Sequence, residues 1–280
     1  MIPSVHEFIK EMGSLYDESE TKALYYEILQ TILQCNKTTL LVEGDRLMDS
    51  NKLNEFHQIV DRLKTGEPLQ YILGVCSFCN YNFKVSSDVL IPRPETEELV
   101  DWIYTDNKEK ENLSLLDIGT GSGCIAISIK KKMPTAEVAA MDVSSKALSI
   151  ANENAIQNEV SIRFFNDNIL QPANNYPSYD IIVSNPPYIM EKEKMDMHTN
   201  VLQHEPWLAL FVDDNDPLLF YRKIAEFGQT HLSKNGFLYF EINSLLAQET
   251  KNLLYAYNYT DVTIKKDIND KNRMIKCQKR

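Results

Sequence analysis

The segment Leu115-Leu116-Asp117-Ile118-Gly119-Thr120-Gly121-Ser122-Gly123 limits the possible folds of this chain more than any other. An apolar run with one acid reads as a buried strand, and glycines at every second position read as a tight turn. The apolar stretch behind them begins a helix. Glycine lets the backbone bend sharply and lets a ligand approach main-chain N–H groups at the helix start. A strand that feeds a helix through such a turn opens a βαβ unit, so an α/β domain built on a mostly parallel sheet is expected.

The remaining pattern agrees with that opening. Strands are expected at 113–118, 137–142, 161–166 and 180–184, with helices at 122–132 and 144–157. Phe220, Ile224, Phe227 and His231 mark a later helix, followed by a strand at 237–242, a helix near 245–257 and strands near 260–266 and 273–278. Before residue 65 the pattern is helical: Leu24, Ile28 and Ile32 recur every four residues beside Leu29 and Leu33, and Leu53, Phe56, Val60 and Leu63 form a second stripe. Gly66 and Pro68 end that helix. Phe78, Tyr81, Phe83 and Val85 sit among Cys, Asn and Ser, which suits a β-hairpin. Pro92-Arg93-Pro94 then punctuates the chain ahead of a helix from Glu95. The expected organisation is a small helical domain over 1–74, a linking β-hairpin over 75–91 and a Rossmann-like α/β domain over 92–280. A length of 280 residues accommodates both domains.

Composition bears on partners. The net charge is −11, whereas a chain devoted to gripping nucleic acid must neutralise phosphates. No direct nucleic-acid partner is expected, and the basic stretch 265–280 reads as a solvated terminal strand. No apolar run approaches the roughly 20 residues needed to span a bilayer, so no membrane partner is expected either. The start, MIPSVHEFIKEMG, lacks the basic-then-apolar layout of a secretory signal, and cytoplasmic residence is the expectation. Cys76 and Cys79 have C-x-x-C spacing, but no second pair or histidine follows at zinc-ligand distance, so no metal is expected.

The glycine spacing points to the ligand. A pyrophosphate-binding turn shows G-x-G-x-x-G, with the phosphates against the helix. Here Gly119, Gly121 and Gly123 follow G-x-G-x-G, with Asp117 two positions ahead and Thr120 and Ser122 between them. That spacing fits a ligand without phosphates, whose amino-acid and adenosine parts lie across the strand ends. Asp142 ends the second strand, 19 residues beyond Gly123, where a carboxylate can accept hydrogen bonds from both ribose hydroxyls. Asp167 and Asn168 end the third strand, where the adenine edge would lie. Together these positions point to S-adenosylmethionine.

The fourth strand leads into Asn185-Pro186-Pro187-Tyr188. Two prolines fix the backbone and remove two N–H donors, and Asn185 adds a side-chain oxygen that accepts. Two such acceptors suit a planar NH2 group. An amide nitrogen is a poor nucleophile because its lone pair is delocalised. Acceptors from Asn185 and the Pro186 carbonyl would orient it and favour the positive charge that develops during transfer. Tyr188 can stack on the planar group.

In their order along the chain, EPLQYILG (67–74), VLIPRPETEELV (89–100), LLDIGTGSGCIAI (115–127), Asp142, SNPPYI (184–189), EPWLAL (205–210) and NGFLYFEI (235–242) resemble the HemK/PrmC family, the glutamine methyltransferases that modify peptide chain release factors. The resemblance spans almost the whole chain. It implies a class I S-adenosylmethionine-dependent methyltransferase whose acceptor is the glutamine of the Gly-Gly-Gln motif in class-1 release factors. By matching positions, residues 119–123 and Asp142 would hold the cofactor, and Asn185 would contact cofactor and substrate. Pro186, Pro187 and Tyr188 would complete the amide pocket, while the N-terminal helices and hairpin would grip the release factor. Asn168 falls where an aromatic residue often stacks on adenine. Arg93 and Glu95 read equally as neighbours of the active site or as parts of an interdomain salt bridge, and Trp207 as a pocket wall or a core residue. Two alternatives share the Asn-Pro-Pro-Tyr corner: a ribosomal-protein glutamine methyltransferase and a DNA adenine N(6)-methyltransferase. The second should carry a basic recognition region, but residues 1–85 hold 8 Lys+Arg against 12 Asp+Glu.

Overall fold

A computed structural model describes residues 2–13 and 15–280. By compactness the chain divides into two units, Met1–Gly74 with His198–His204, and Val75–Met197 with Glu205–Arg280.

The first unit is helical: α1 (Val5–Met12), α2 (Glu18–Leu33), α3 (Lys37–Leu47), α4 (Ser50–Lys64) and α5 (Leu69–Leu73). Short polar side chains start these helices where the sequence supplies them. Asp17, Asn36 and Asp49 accept the N–H groups of Glu20, Thr39 and Lys52 at 2.8, 2.9 and 2.8 Å, each cap contributing about 1 kcal/mol. Ile28, Leu29, Ile32 and Leu33 of α2 meet Phe56, Val60 and Leu63 of α4 in one core, with Leu24 and Leu53 at its margin. Helix α4 stops at Lys64, and Gly66 turns the chain with φ +83°.

The second unit begins with the hairpin β1 (Val75–Phe78) and β2 (Tyr81–Lys84). Its two-residue turn, Cys79-Asn80, has φ of +50° and +65°, the mirror-image turn whose twist matches paired strands. Phe78 and Phe83 are buried with Leu99, Ile103 and Ile125. The hairpin is therefore part of this unit's core.

Next come α6 (Pro94–Asn107), β3 (Ser114–Ile118), α7 (Cys124–Lys132), β4 (Glu137–Asp142), α8 (Ser145–Gln157), β5 (Arg163–Asn166) and β6 (Tyr179–Ser184). The short β7 (Ile189–Met190) and β8 (Phe211–Val212) flank α9 (Thr199–His204), which counts with the first unit, and α10 (Trp207–Leu210). Helix α11 (Leu219–His231), β9 (Leu232–Glu241), α12 (Ala247–Ala256), β10 (Tyr259–Lys266) and β11 (Asn272–Lys279) finish the chain. Seven strands form one sheet in the order β10-β11-β9-β6-β3-β4-β5, parallel except for β11, which runs antiparallel to both neighbours.

The strand pleat sends alternate side chains to opposite faces. Leu116, Ile182, Leu238 and Phe240 join one core, while Leu115, Ile181, Val183 and Tyr239 join the other. A sheet covered on both faces explains the nearly continuous apolar strands. Each fully buried side chain of this size contributes about 1.5–3 kcal/mol relative to exposure. Two strands differ from expectation by more than one residue. Strand β5 starts at Arg163 because the ladder with β4 begins at the Ala139–Arg163 pair. Strand β9 reaches back to Leu232, which pairs with Tyr179 across a register shift. Among the described residues no helix is long and apolar enough to cross a membrane.

Candidate active site

The chain runs from β3 outward through β4 and β5, then returns to the opposite side of β3 as β6. Such a reversal leaves a crevice beyond the carboxyl ends of the strands, where ligands of open α/β sheets bind. Here it holds a cavity of about 270 Å³. The turn after β3, the ends of β4 and β5, and the corner after β6 all border it.

Gly119, Thr120, Gly121 and Ser122 line the cavity, whereas Asp117 and Gly123 stand behind it. Gly119 and Gly121 have φ of +74° and +55°, and a Cβ built on either meets nothing within 4 Å. The turn thus presents bare backbone to open space. Gly123 differs: its φ is +82°, and a Cβ there would sit 3.0 Å from Ile127 Cδ1 and 3.2 Å from Ala151 Cβ. It serves the packing of α7 on α8.

Asp117 is fully buried beneath the turn. Its Oδ2 accepts from the Thr120 hydroxyl at 2.6 Å, and its Oδ1 has no partner among the described residues. Burial pushes this carboxyl up to about 7, with the Asp142 charge adding to the effect and the hydrogen bonds from Thr120 and the Ala126 N–H opposing it. Asp142 lines the cavity and accepts from the Gly121 and Ser144 N–H groups, both at 2.9 Å. Burial raises its pKa as well. A carboxylate oxygen carries more than one lone pair, so ribose hydroxyls can still be accepted.

Asp167 and Asn168 line the far end, but both side chains are engaged in their own loop. The Asp167 carboxylate accepts from the N–H groups of Asn168, Ala173 and Asn174 and from the Tyr176 hydroxyl at 2.8 Å. Burial acts to raise its pKa, yet these donors hold it down at about 2. Asn168 Oδ1 accepts from the Leu170 N–H at 3.0 Å. Position 168 carries no aromatic, but Val143, Ile169, Phe220 and Ile224 give the cavity apolar wall. An apolar-walled end, a bare glycine cradle and a carboxylate between them fit an adenosyl group joined to an amino acid.

Asn185, Pro186 and Pro187 line the same cavity. The side chain of Asn185 makes one hydrogen bond among the described residues, from Nδ2 to Thr96 Oγ1 at 3.3 Å. Its Oδ1 makes no hydrogen bond among the described residues. Tyr188 is not part of the cavity wall. Its hydroxyl donates to Glu241 Oε1 at 2.9 Å, and burial holds its pKa well above the usual value. Glu241 Oε2 accepts from Thr96 Oγ1 at 2.6 Å. The Arg273 guanidinium, paired with Asp267 at 3.0 Å, reaches the Tyr188 hydroxyl at 3.5 Å.

Sequence reasoning missed this cluster. Thr96 lies within PRPETE and Glu241 within NGFLYFEI, and a carboxylate closing an apolar strand is the signal that could have found it. Arg93 lines the cavity and pairs with the buried Glu205 at 2.5 Å, inside the second unit. This pair replaces the interdomain salt bridge considered from sequence. Glu95 accepts instead from Asn269 Nδ2 at 3.2 Å. Trp207 is 56% exposed, with Lys194 Nζ 4.1 Å from its ring centre, so it is not a core residue.

Comparison with known proteins gives a consistent picture. The Methyltransferase small domain family matches residues 96–207, and the PrmC N-terminal domain matches residues 6–74. A release factor glutamine methyltransferase of Flavobacterium psychrophilum is 50% identical over 273 residues, covering 96% of each chain. One from Bacteroides thetaiotaomicron is 44% identical over 267 residues, covering 95% of each. Among solved structures, a methyltransferase from Pyrococcus furiosus shares the fold, with a TM-score of 0.52 at 17% identity over 82% of this chain and 99% of its own. On the strength of near full-length identity to these relatives, the chain belongs to the release factor glutamine methyltransferase family.

Proposed function

We propose that this protein is a methyltransferase that moves a methyl group from S-adenosylmethionine to the side-chain amide nitrogen of a glutamine, that of the Gly-Gly-Gln motif in class-1 peptide chain release factors. One observation carries the reading: Asn185, Pro186 and Pro187 open onto the same cavity as Gly119, Gly121 and Asp142. An amide acceptor corner and a nucleoside cradle therefore share one space.

Bound there, S-adenosylmethionine would supply an electrophilic methyl carbon on a sulfonium. Gly119, Thr120, Gly121 and Ser122 would border its amino-acid part, and Asp142 would accept from its ribose. Val143, Ile169 and the loop at Asp167 and Asn168 would border the base. Asn185 Oδ1 accepts one N–H of the substrate amide and the Pro186 carbonyl accepts the other. Held by both N–H groups, the amide plane is fixed so that the nitrogen lone pair, which stands perpendicular to it, faces the methyl carbon, and the two acceptors stabilise the positive charge that grows on nitrogen. Pro187 and Tyr188 support the corner, and the surplus proton leaves after transfer. The N-terminal helical unit is proposed to grip the release factor. Such a substrate works on ribosomes, which assigns the reaction to the cytoplasm.

The test is transfer of labelled methyl from S-adenosylmethionine to a purified release factor and to its Gly-Gly-Ala variant. Labelling of the first alone is expected, and equal labelling of both refutes the glutamine assignment. Asn185→Ala should lower turnover at least about 100-fold, the loss typical of a removed transition-state partner, with cofactor affinity changed far less.

A further inference from the structure

We infer that Glu241 is a positioning residue: by fixing the direction of the hydrogen-bond chain Asn185–Thr96–Glu241, it decides that Asn185 turns its oxygen, and not its NH2, toward the substrate. The inference rests on the reading of Asn185 as an acceptor for the substrate amide.

The two ends of an asparagine side chain have nearly the same shape, so packing alone holds either orientation equally well. Polarity must choose. Glu241 ends β9, 2% exposed, and each of its carboxylate oxygens faces a hydroxyl: Thr96 at 2.6 Å and Tyr188 at 2.9 Å. Burial pushes the Glu241 carboxyl up, and the Thr96 and Tyr188 hydroxyls and the Arg273 charge oppose that. As a carboxylate, with a hydroxyl donating to each oxygen, it accepts and cannot donate, so Thr96 directs its single proton to Glu241. Only lone pairs of Thr96 Oγ1 then remain for Asn185, and only the NH2 end of Asn185 satisfies them, at 3.3 Å. Oδ1 is left pointing away from Thr96. Thr96 is also 2% exposed, so bulk water does not substitute for either partner. Arg273, beside Tyr188, supplies the positive charge that a buried carboxylate needs.

The decisive variant is Glu241→Gln, which keeps the shape and reverses the logic. A glutamine NH2 can donate to Thr96 Oγ1, freeing the Thr96 proton for Asn185 Oδ1. Asn185 then turns its NH2 toward the substrate NH2, donor against donor. With release factor as substrate, kcat should fall about 10- to 100-fold, the cost of one buried hydrogen bond lost and one polar group left unpaired. The Kd for S-adenosylhomocysteine should stay within about threefold. In a Thr96→Val background the relay is absent, and adding Glu241→Gln should cost less than about threefold, because the two changes act through one path. Thr96→Ser, which keeps the hydroxyl, should work where Thr96→Val fails; this pair decides the matter even if Glu241→Gln does not fold. Wild-type kcat in Glu241→Gln, an equal loss in the Thr96→Val background, a parallel loss of cofactor affinity, or equal activity of the Ser and Val variants each overturns the inference. A wild-type protein that labels no release factor strikes the acceptor reading instead.

Discussion

Alanine at Gly119 and alanine at Gly123 should damage different properties. Both glycines have φ in the left-handed region, +74° and +82°, where a Cβ costs roughly 1–2 kcal/mol. At Gly119 that is the whole structural cost, because the new methyl meets no protein atom within 4 Å. At Gly123 the methyl presses on Ile127 and Ala151 at 3.0 and 3.2 Å, and overpacking adds about 1–3 kcal/mol. Gly119→Ala should therefore cost about 1–2 kcal/mol and Gly123→Ala about 2–5 kcal/mol, with roughly 2–4 °C of melting temperature per kcal/mol in a unit of this size. Ligand affinity should rank the other way. The Gly119 methyl stands in the cavity, where about 1.4 kcal/mol of lost binding is tenfold in Kd, while the Gly123 methyl points into the α7–α8 packing. Thermal unfolding without ligand and calorimetric titration with S-adenosylhomocysteine measure the two properties separately. Gly119→Ala binding as tightly as wild type, or Gly123→Ala losing affinity in parallel, would refute the division between cradle and packing.

Two carboxylates make opposite pH predictions. Asp117 is held at about 7 by burial, above the ordinary carboxylate range near 3.9. The folded state keeps a proton that the unfolded chain releases, so stability is full below about pH 4 and is lost as pH rises through 7, by up to about 4 kcal/mol. Thermal midpoints of the ligand-free protein should fall from pH 5 to pH 8, and Asp117→Asn should flatten that profile; parallel profiles refute the assignment. Asp167 is held at about 2 by its loop donors, so its contribution is present above about pH 4 and is lost as pH falls through 2. Asp167→Asn should cost about 1 kcal/mol at pH 6, a value reduced for solvent screening. The gap should close near pH 2, and a pH-independent gap would show that the loop does not depend on the charge.

Much of this molecule was legible in its sequence because the signals were local. The Leu115–Gly123 segment names its own strand, turn and helix, and Asn185-Pro186-Pro187 names a rigid corner. Within each helical stripe, the one through Ile28 and the one through Phe56, successive members lie about one turn apart along the chain. What sequence hid was contact at long range. Glu241 looks like the end of an apolar strand until Thr96, 145 positions earlier, is found 2.6 Å away. Tyr188 reads as a ring free to stack, yet its hydroxyl is tied back to that same carboxylate. Asp167 reads as a ligand contact, but its oxygens are claimed by residues up to nine positions ahead. Local pattern specifies elements. The partner of a buried polar atom depends on which elements the fold brings together.

The pairing of β6 with β9 has a consequence for how such a chain tolerates insertions. Ser184 sits level with Phe240 in that ladder, so Asn185, the first residue beyond β6, and Glu241, the last residue of β9, stand at the same height. The ladder acts as a gauge that sets the reacting corner against its anchor. Gaining or losing one residue within 237–241, where the ladder runs without a shift, would displace Glu241 by about 3.3 Å and turn it to the opposite face. Length changes should therefore accumulate in the loops around α10 and α12, while this strand keeps its residue count.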